Sequence, residues 1–323
     1  MPPETGFGVD KVAVTFPAEP RDKRLAPVGG RRLVIEGDGR RSLWWEGLTV
    51  GPAAVDVRAR EVEPGRFYAH VEFNPSRVLD PGGVSLCAVD QVVELVGRAV
   101  ETSEAVLAPR VAEVDAATVS RVDLARDFLE VESPEFFIHG LRGVRRPYAR
   151  RAFTYSDPAR GNAETFFVGG KRNGVRLYDK HCEKPVSTRP GHVRWESVCR
   201  KDWLRPLGHV RVVGDVGDGA GLLSLAENRW RWSAMGAEVV ALGRVIEKVR
   251  RSGESPALQR AFLGFLLERS YGGRSPVAKA TGARFNRLQR DLNIVVTSEM
   301  FERSAGFTAR LDWDSGREVI EVA

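Results

Sequence analysis

The stretch Val119-Ser120-Arg121-Val122-Asp123-Leu124-Ala125-Arg126-Asp127-Phe128 alternates charged and apolar side chains in the manner of a β-strand. Successive strand residues point to opposite faces, so Arg121, Asp123, Ala125 and Asp127 share one face. Val122, Leu124 and Phe128 point the other way and are expected to enter a core. Two stretches of the same kind follow. In Val175-Arg176-Leu177-Tyr178-Asp179-Lys180, residues Arg176, Tyr178 and Lys180 share a face. In Val193-Arg194-Trp195-Glu196-Ser197-Val198-Cys199-Arg200, residues Arg194, Glu196 and Arg200 do the same. If the strands lie in one sheet, a single surface gathers three acids, several cations and one tyrosine.

Upstream, Asp10-Lys11-Val12-Ala13-Val14-Thr15-Phe16 reads as an opening strand, ended by Pro17. Arg31 to Glu36 and Arg41 to Glu46 flank Gly37-Asp38-Gly39, and Val55 to Glu61 and Arg66 to Phe73 flank Glu63-Pro64-Gly65. Both are hairpin patterns, because glycine supplies a positive φ. From Val89 to Val106, residues Val92, Val93, Val96 and Val100 fall at helical spacing. A further strand is expected at Thr165 to Val168. After Asp202 the pattern turns helical, over Leu222 to Arg231, Ala237 to Arg251, Pro256 to Ser270 and Val277 to Leu292. The breaks at Ser255-Pro256 and Ser275-Pro276 pair a serine cap with proline at the first helical position. Phe307 to Val322 has room for a terminal hairpin. The expected class is α+β: a largely antiparallel sheet with flanking helices over residues 1–251, divisible into halves 1–110 and 111–251, then a mainly helical region, 252–323.

The chain has 323 residues, 42% of them hydrophobic, with a net charge of +6 and an isoelectric point near 9.4. Arginine suits two-pronged contact with phosphate, so nucleic acid is a natural partner, although many basic proteins never meet it. Cys87, Cys182 and Cys199 cannot all pair and show no zinc-like spacing, which favours a reducing compartment. No secretory signal and no membrane-length apolar stretch is evident, so a cytoplasmic location without membrane contact is expected.

The gathered residues suit metal-assisted phosphodiester chemistry. Asp123 and Glu196, with Asp127, offer hard oxygen ligands for Mg²⁺ or Mn²⁺. Lys180 and neighbouring arginines can stabilise charge on a phosphate, and Tyr178 can attack phosphorus to give a phosphotyrosine ester. The ester stores the bond energy, so resealing needs no ATP. Plainer readings stand beside this one: a strand tyrosine is often a packing residue, and alternating acids and arginines often form cross-strand ion pairs of small worth.

Gly169-Gly170-Lys171-Arg172-Asn173-Gly174 lacks the spacing of a phosphate loop and precedes a strand, so it reads as a hairpin turn whose Lys171 and Arg172 can touch a DNA backbone. Arg142-Gly143-Val144-Arg145-Arg146-Pro147-Tyr148-Ala149-Arg150-Arg151 is the strongest basic run, and Arg145 and Arg146 are candidate DNA contacts. The five histidines are scattered, with no pair separated by one residue. His181, three residues beyond Tyr178, is a candidate for metal or phosphate contact and equally an ordinary hydrogen-bonded histidine.

These same segments, in order, resemble the replication initiation factor family, the initiators of rolling-circle plasmids and related relaxases of integrative conjugative elements. Val9-Asp10-Lys11-Val12-Ala13-Val14-Thr15-Phe16 is similar to its opening strand. Ser120 to Phe128 resembles its Arg-x-Asp-x-x-x-Asp-Phe block, and Thr165 to Lys180 its hairpin ending in Tyr-Asp-Lys. Val193 to Arg200 resembles its Arg-aromatic-Glu strand, with Trp195 where phenylalanine is usual. The turn at Gly170-Lys171-Arg172-Asn173 lacks the serine often found there. The resemblance spans roughly residues 9 to 250 and implies that Tyr178 joins covalently to a DNA 5′ end. It also implies divalent-metal ligands among Asp123, Asp127 and Glu196.

The resulting expectation is an origin-specific, metal-dependent nickase and strand transferase that starts rolling-circle replication of a plasmid, phage or integrated element. Its catalytic residues would be Tyr178 and Lys180. Its DNA contacts would be Arg121, Lys171, Arg172, Arg176, Arg194, Arg200, Arg145 and Arg146. Its partners would be origin DNA, a host helicase and a second copy of itself. The alternatives are a conjugative relaxase with the same chemistry, a non-catalytic DNA-binding regulator, and a nuclease that uses water.

Overall fold

A computed structural model of the chain describes residues 7–20, 31–82, 84–109, 117–132, 134, 137–138, 141, 152–157, 163–170, 173–204, 212–217, 219–236, 239–240, 242–270, 279–292 and 307–322. The fold is α+β, a large antiparallel sheet with several helices. The chain divides into two compact units, one of residues 1–126, 171–174 and 196–228, the other of 127–170, 175–195 and 229–323. No helix among the described residues is long and apolar enough to cross a membrane.

The first unit is built on β1 (Phe7–Pro20), β2 (Arg31–Ile35), β3 (Arg41–Val50), β4 (Ala53–Glu63), β5 (Arg66–Phe73), β6 (Leu107–Pro109) and the greater part of β7 (Thr118–Phe128). Their order is β2-β3-β4-β5-β1-β7, with β6 also pairing β1. The two expected hairpins are present, and Gly39 and Gly65 take φ values of 81° and 76° at their turns. Alternation sends Leu43, Trp45, Val57, Ala59, Phe67, Ala69 and Val71 inward. The helix Val89–Ser103 lays Val92, Leu95, Val96, Ala99 and Val100 against β1, β3 and β5. Burying such a leucine or valine contributes about 1.5–3 kcal/mol.

Two features of β1 depart from the sequence pattern. The strand does not stop at Pro17, which stays in register opposite Tyr68 of β5. On its other side, pairing with β7 ends at Thr15 and pairing with β6 begins at Ala18, so the missing N–H of Pro17 falls in an interval with no ladder partner. Farther back, Val9 pairs Leu124 while Lys11 pairs Asp123, which leaves Asp10 as the extra residue of a β-bulge.

The second unit holds β8 (Ala152–Asp157), β9 (Ala163–Gly169), nearly all of β10 (Gly174–Asp179) and the Val193–Trp195 part of β11 (Val193–Arg200), in the order β11-β10-β9-β8. The Glu196–Arg200 part of β11 belongs to the first unit. Phe128, Trp195, Trp230 and Trp313 form one aromatic cluster, with ring centroids 5.1–6.1 Å apart. The helix Pro256–Ser270 has the bounds its Ser-Pro start implies, and Phe262 and Phe265 pack on Phe285 of the helix Lys279–Asp291. The helix expected from Ala237 begins only at Leu242, because Val239–Val240 forms a short strand, β12, on β13 (Phe307–Asp312). β13 and β14 (Arg317–Val322) make the terminal hairpin.

Candidate functional site

In the first unit β7 carries Asp123 beside Lys11 of β1, with the Asp10 bulge immediately before it. Asp123 is buried, 2% exposed, and accepts two hydrogen bonds from Arg121, Nε to Oδ1 at 2.8 Å and Nη2 to Oδ2 at 2.5 Å. The same guanidinium donates from Nη1 to Glu72 at 3.0 Å, and Lys11 donates to the same Glu72 oxygen at 3.2 Å. Burial opposes ionisation of Glu72, but His70, Arg121 and Lys11 outweigh it and hold the carboxyl well below its usual range.

Asp123 goes the other way. Burial lifts its carboxyl to about 6; Arg121 pulls it down, while the charges of Glu196 and Asp10 push it up. Glu196 is itself 2% exposed. Two neighbouring carboxylates thus act on the buried Asp123 alongside the Arg121 guanidinium, and with burial they favour its protonated form. Hard oxygens of this kind suit a divalent cation in chemistry. As the side chains stand, no three His, Cys, Asp or Glu among the described residues form a group able to hold a metal ion.

Asp127 belongs to the second unit. Arg194 grips it with Nε to Oδ1 at 2.6 Å and Nη2 to Oδ2 at 2.8 Å, and His192 Nε2 stands 3.1 Å from Oδ1. Burial opposes the Asp127 charge, but Arg194 and His192 outweigh it and lower its pKa. The backbone carbonyl of His192 accepts the Lys180 N–H at 2.7 Å, which ties this cluster to the turn after β10. Asp179 starts that turn by accepting from the N–H groups of His181 and Cys182.

Tyr178 is fully buried, and Lys180 Nζ lies 5.7 Å from its ring centroid. Lys180 is buried too and donates to Glu183. His181 contributes to its own loop, with Nδ1 3.2 Å from the Thr188 carbonyl oxygen.

Of the expected site residues, the first unit brings together Arg121, Asp123 and Glu196. The second brings together Asp127 and Arg194, and separately Tyr178 and Lys180. Arg194, expected to face DNA, has no exposed surface. Arg176 is half-buried, whereas Arg200 is exposed and its backbone N–H donates to Asn173. Lys171, Arg172, Arg145 and Arg146 lie outside the described residues. Sequence reasoning passed over Asp10, Glu72 and His192. Glu72 follows Tyr68 and His70 on the alternating face of β5, a legible signal, whereas the bulge takes Asp10 out of any alternation.

No family model matches the chain, and no match was found among curated proteins. Among solved structures, the rolling circle replication initiator protein from Geobacillus stearothermophilus is 13% identical, with a TM-score of 0.37 over 88% of this chain and 97% of that one. The di-domain ARO/CYC StfQ from the steffimycin biosynthetic pathway is also 13% identical, with a TM-score of 0.19 over 68% of this chain and 96% of that one. At these scores neither likeness carries weight, and a functional reading rests on the chain's own residues.

Proposed function

We propose that the chain nicks one DNA strand at a replication origin and retains the 5′ end on Tyr178, so starting rolling-circle replication. The observation that supports this reading best is the burial of Asp123 beside Arg121, with the charges of Glu196 and Asp10 acting on the same carboxyl. Asp123 and Glu196 would be the carboxylates offered to a Mg²⁺ or Mn²⁺ ion, although as the side chains stand no three such groups among the described residues hold one; when bound, the ion would supply a Lewis acid for a phosphate oxygen. Arg121 orients the Asp123 carboxylate through its two hydrogen bonds.

The Tyr178 phenol gives up its proton as its oxygen forms a bond to phosphorus and the bond from phosphorus to the 3′ oxygen breaks. The departing oxygen takes up a proton to become a free 3′-hydroxyl, so no net proton is gained or lost. Lys180 keeps positive charge beside the tyrosine ring, where negative charge develops. Since Tyr178 is fully buried, its surroundings must open locally for DNA to reach the hydroxyl. A conjugative relaxase would use the same steps.

The burial of Tyr178 favours a second reading, a DNA-binding regulator in which this ring only packs. Incubation with supercoiled DNA carrying the element's own origin, with Mg²⁺ or Mn²⁺, separates the two. Nicking with covalent attachment, both lost in Tyr178→Phe, supports the nickase. Nicking that survives in that variant without attachment points to water as nucleophile, and binding without nicking points to the regulator.

A further inference from the structure

The face of the first unit's sheet opposite the helix Val89–Ser103 carries an ordered array of rings and cations. Cross-strand registers place Trp44 of β3 opposite Arg58 of β4, Arg58 opposite His70 of β5, and His70 opposite Thr15 of β1. The adjacent row runs Ser42, Arg60, Tyr68, Pro17 across the same strands. The alternating partners Leu43, Trp45, Val57, Ala59, Phe67 and Ala69 are buried, whereas Trp44, Arg58, Tyr68 and His70 are half-buried and Arg60 is exposed.

The array is held in place. The Arg58 guanidinium lies over the Trp44 ring, 4.4 Å from its centroid, and is fixed by Asp56. Arg66 lies 5.8 Å from the Tyr68 centroid. Arg60 reaches Glu36 at 2.6 Å. Exposed ion pairs of this type are worth little, so they orient these arginines without preventing a phosphate from competing for them. Trp44 and Tyr68 lie two strands and two residues apart, about 12 Å across the sheet at ordinary strand spacings. Cations stand between them, so the face has no contiguous apolar centre of the kind a protein partner would bury.

We infer that this face is a platform for single-stranded DNA. Unpaired bases offer ring faces that stack on Tyr68 and on the outer side of the Arg58 guanidinium, which Trp44 backs, while Arg60 and Arg66 meet the phosphates. A duplex hides those ring faces, so single strands bind better. The array itself does not depend on the nicking reading; the choice of DNA over RNA does.

The test is fluorescence anisotropy of a labelled oligodeoxythymidine with the full chain. Trp44→Ala and Tyr68→Ala should each weaken binding about tenfold or more. Arg60→Glu, at an exposed position that leaves the core untouched, should weaken it and flatten the salt dependence. Circular dichroism checks that each variant is folded. Wild-type binding that all three folded variants retain would overturn the platform, as would failure of the wild type to bind, equal affinity for duplex, or tighter binding of the matching RNA. A wild-type dimer that Trp44→Ala dissociates, seen by sedimentation, would assign the face to a second copy and also overturn it. The origin-nicking assay run alongside separates the two readings. Nicking with variant-insensitive binding rejects only the platform, and Trp44-dependent binding without nicking rejects only the nickase.

Discussion

Arg194 holds Asp127 through two parallel hydrogen bonds, 2.6 and 2.8 Å long, in a site where the arginine has no exposed surface. The desolvation cost of such a pair is large, so the pair adds little net stability over an apolar pair, yet breaking it strands a buried charge. Asp127→Asn is therefore expected to lower unfolding stability by about 3–5 kcal/mol at neutral pH, measured by urea titration. The folded pKa of Asp127 lies below its ordinary value of 3.8, so its contribution is fully present above that value and is lost as pH falls through the folded one. The gap between wild type and variant should stay constant from pH 7 to pH 5 and narrow in strong acid. A gap that widens on acidification would contradict the assignment.

Asp123 has the opposite sign. Its folded pKa of about 6 exceeds the ordinary 3.8, so the folded state binds the proton more tightly, and stability from this group declines as pH rises between those values. If an ionised Asp123 is required for cleavage, nicking should rise through about pH 6. Glu196→Gln removes one of the negative neighbours and should move the Asp123 titration to lower pH. Carboxyl ¹³C shifts would report it, and an unmoved titration would show that the two charges do not interact.

Tyr178→Phe deletes one hydroxyl from a fully buried ring. Covalent attachment to DNA should vanish while stability changes by only about 1 kcal/mol. Tyr178→Ala, by contrast, should cost about 3–5 kcal/mol through the cavity it leaves. Thermal melts of both, beside gel detection of the protein–DNA adduct, distinguish loss of chemistry from loss of packing.

Gly191 sits just ahead of His192 with φ at 79°, and a Cβ added there would stand 2.6 Å from the Val131 carbonyl oxygen. That carbonyl belongs to a residue whose N–H donates to Gly191 at 3.0 Å, so neither backbone can retreat freely. Gly191→Ala should destabilise the fold by about 1–3 kcal/mol. A variant as stable as wild type in urea would refute the close approach.

Much of the local structure follows from the chain alone. Period-two alternation over Thr118–Phe128 marks a strand, Gly39 and Gly65 permit tight turns, and Ser255-Pro256 starts a helix. The candidate chemistry was legible in the same way, as Asp123, Tyr178, Lys180 and Glu196 on alternating strands. Burial was not. Alternation leads one to expect a polar face over Arg121 to Asp127 and Arg194 to Arg200, yet Asp123, Arg194 and Glu196 are all buried. A strand covered on both faces hides its polar residues too, and only packing determines whether the second face is covered. Partner choice was equally beyond local pattern. Arg121 reaches back 49 residues to Glu72, and Asp127 forward 67 to Arg194, contacts that strand order and register create. The sequence by itself determined which segments are strands and helices and which chemistry they carry, because those properties depend on a few neighbouring residues. Only the tertiary structure decided that Asp123 is buried and that Asp127 is locked to Arg194, because burial and charge pairing depend on residues far apart along the chain.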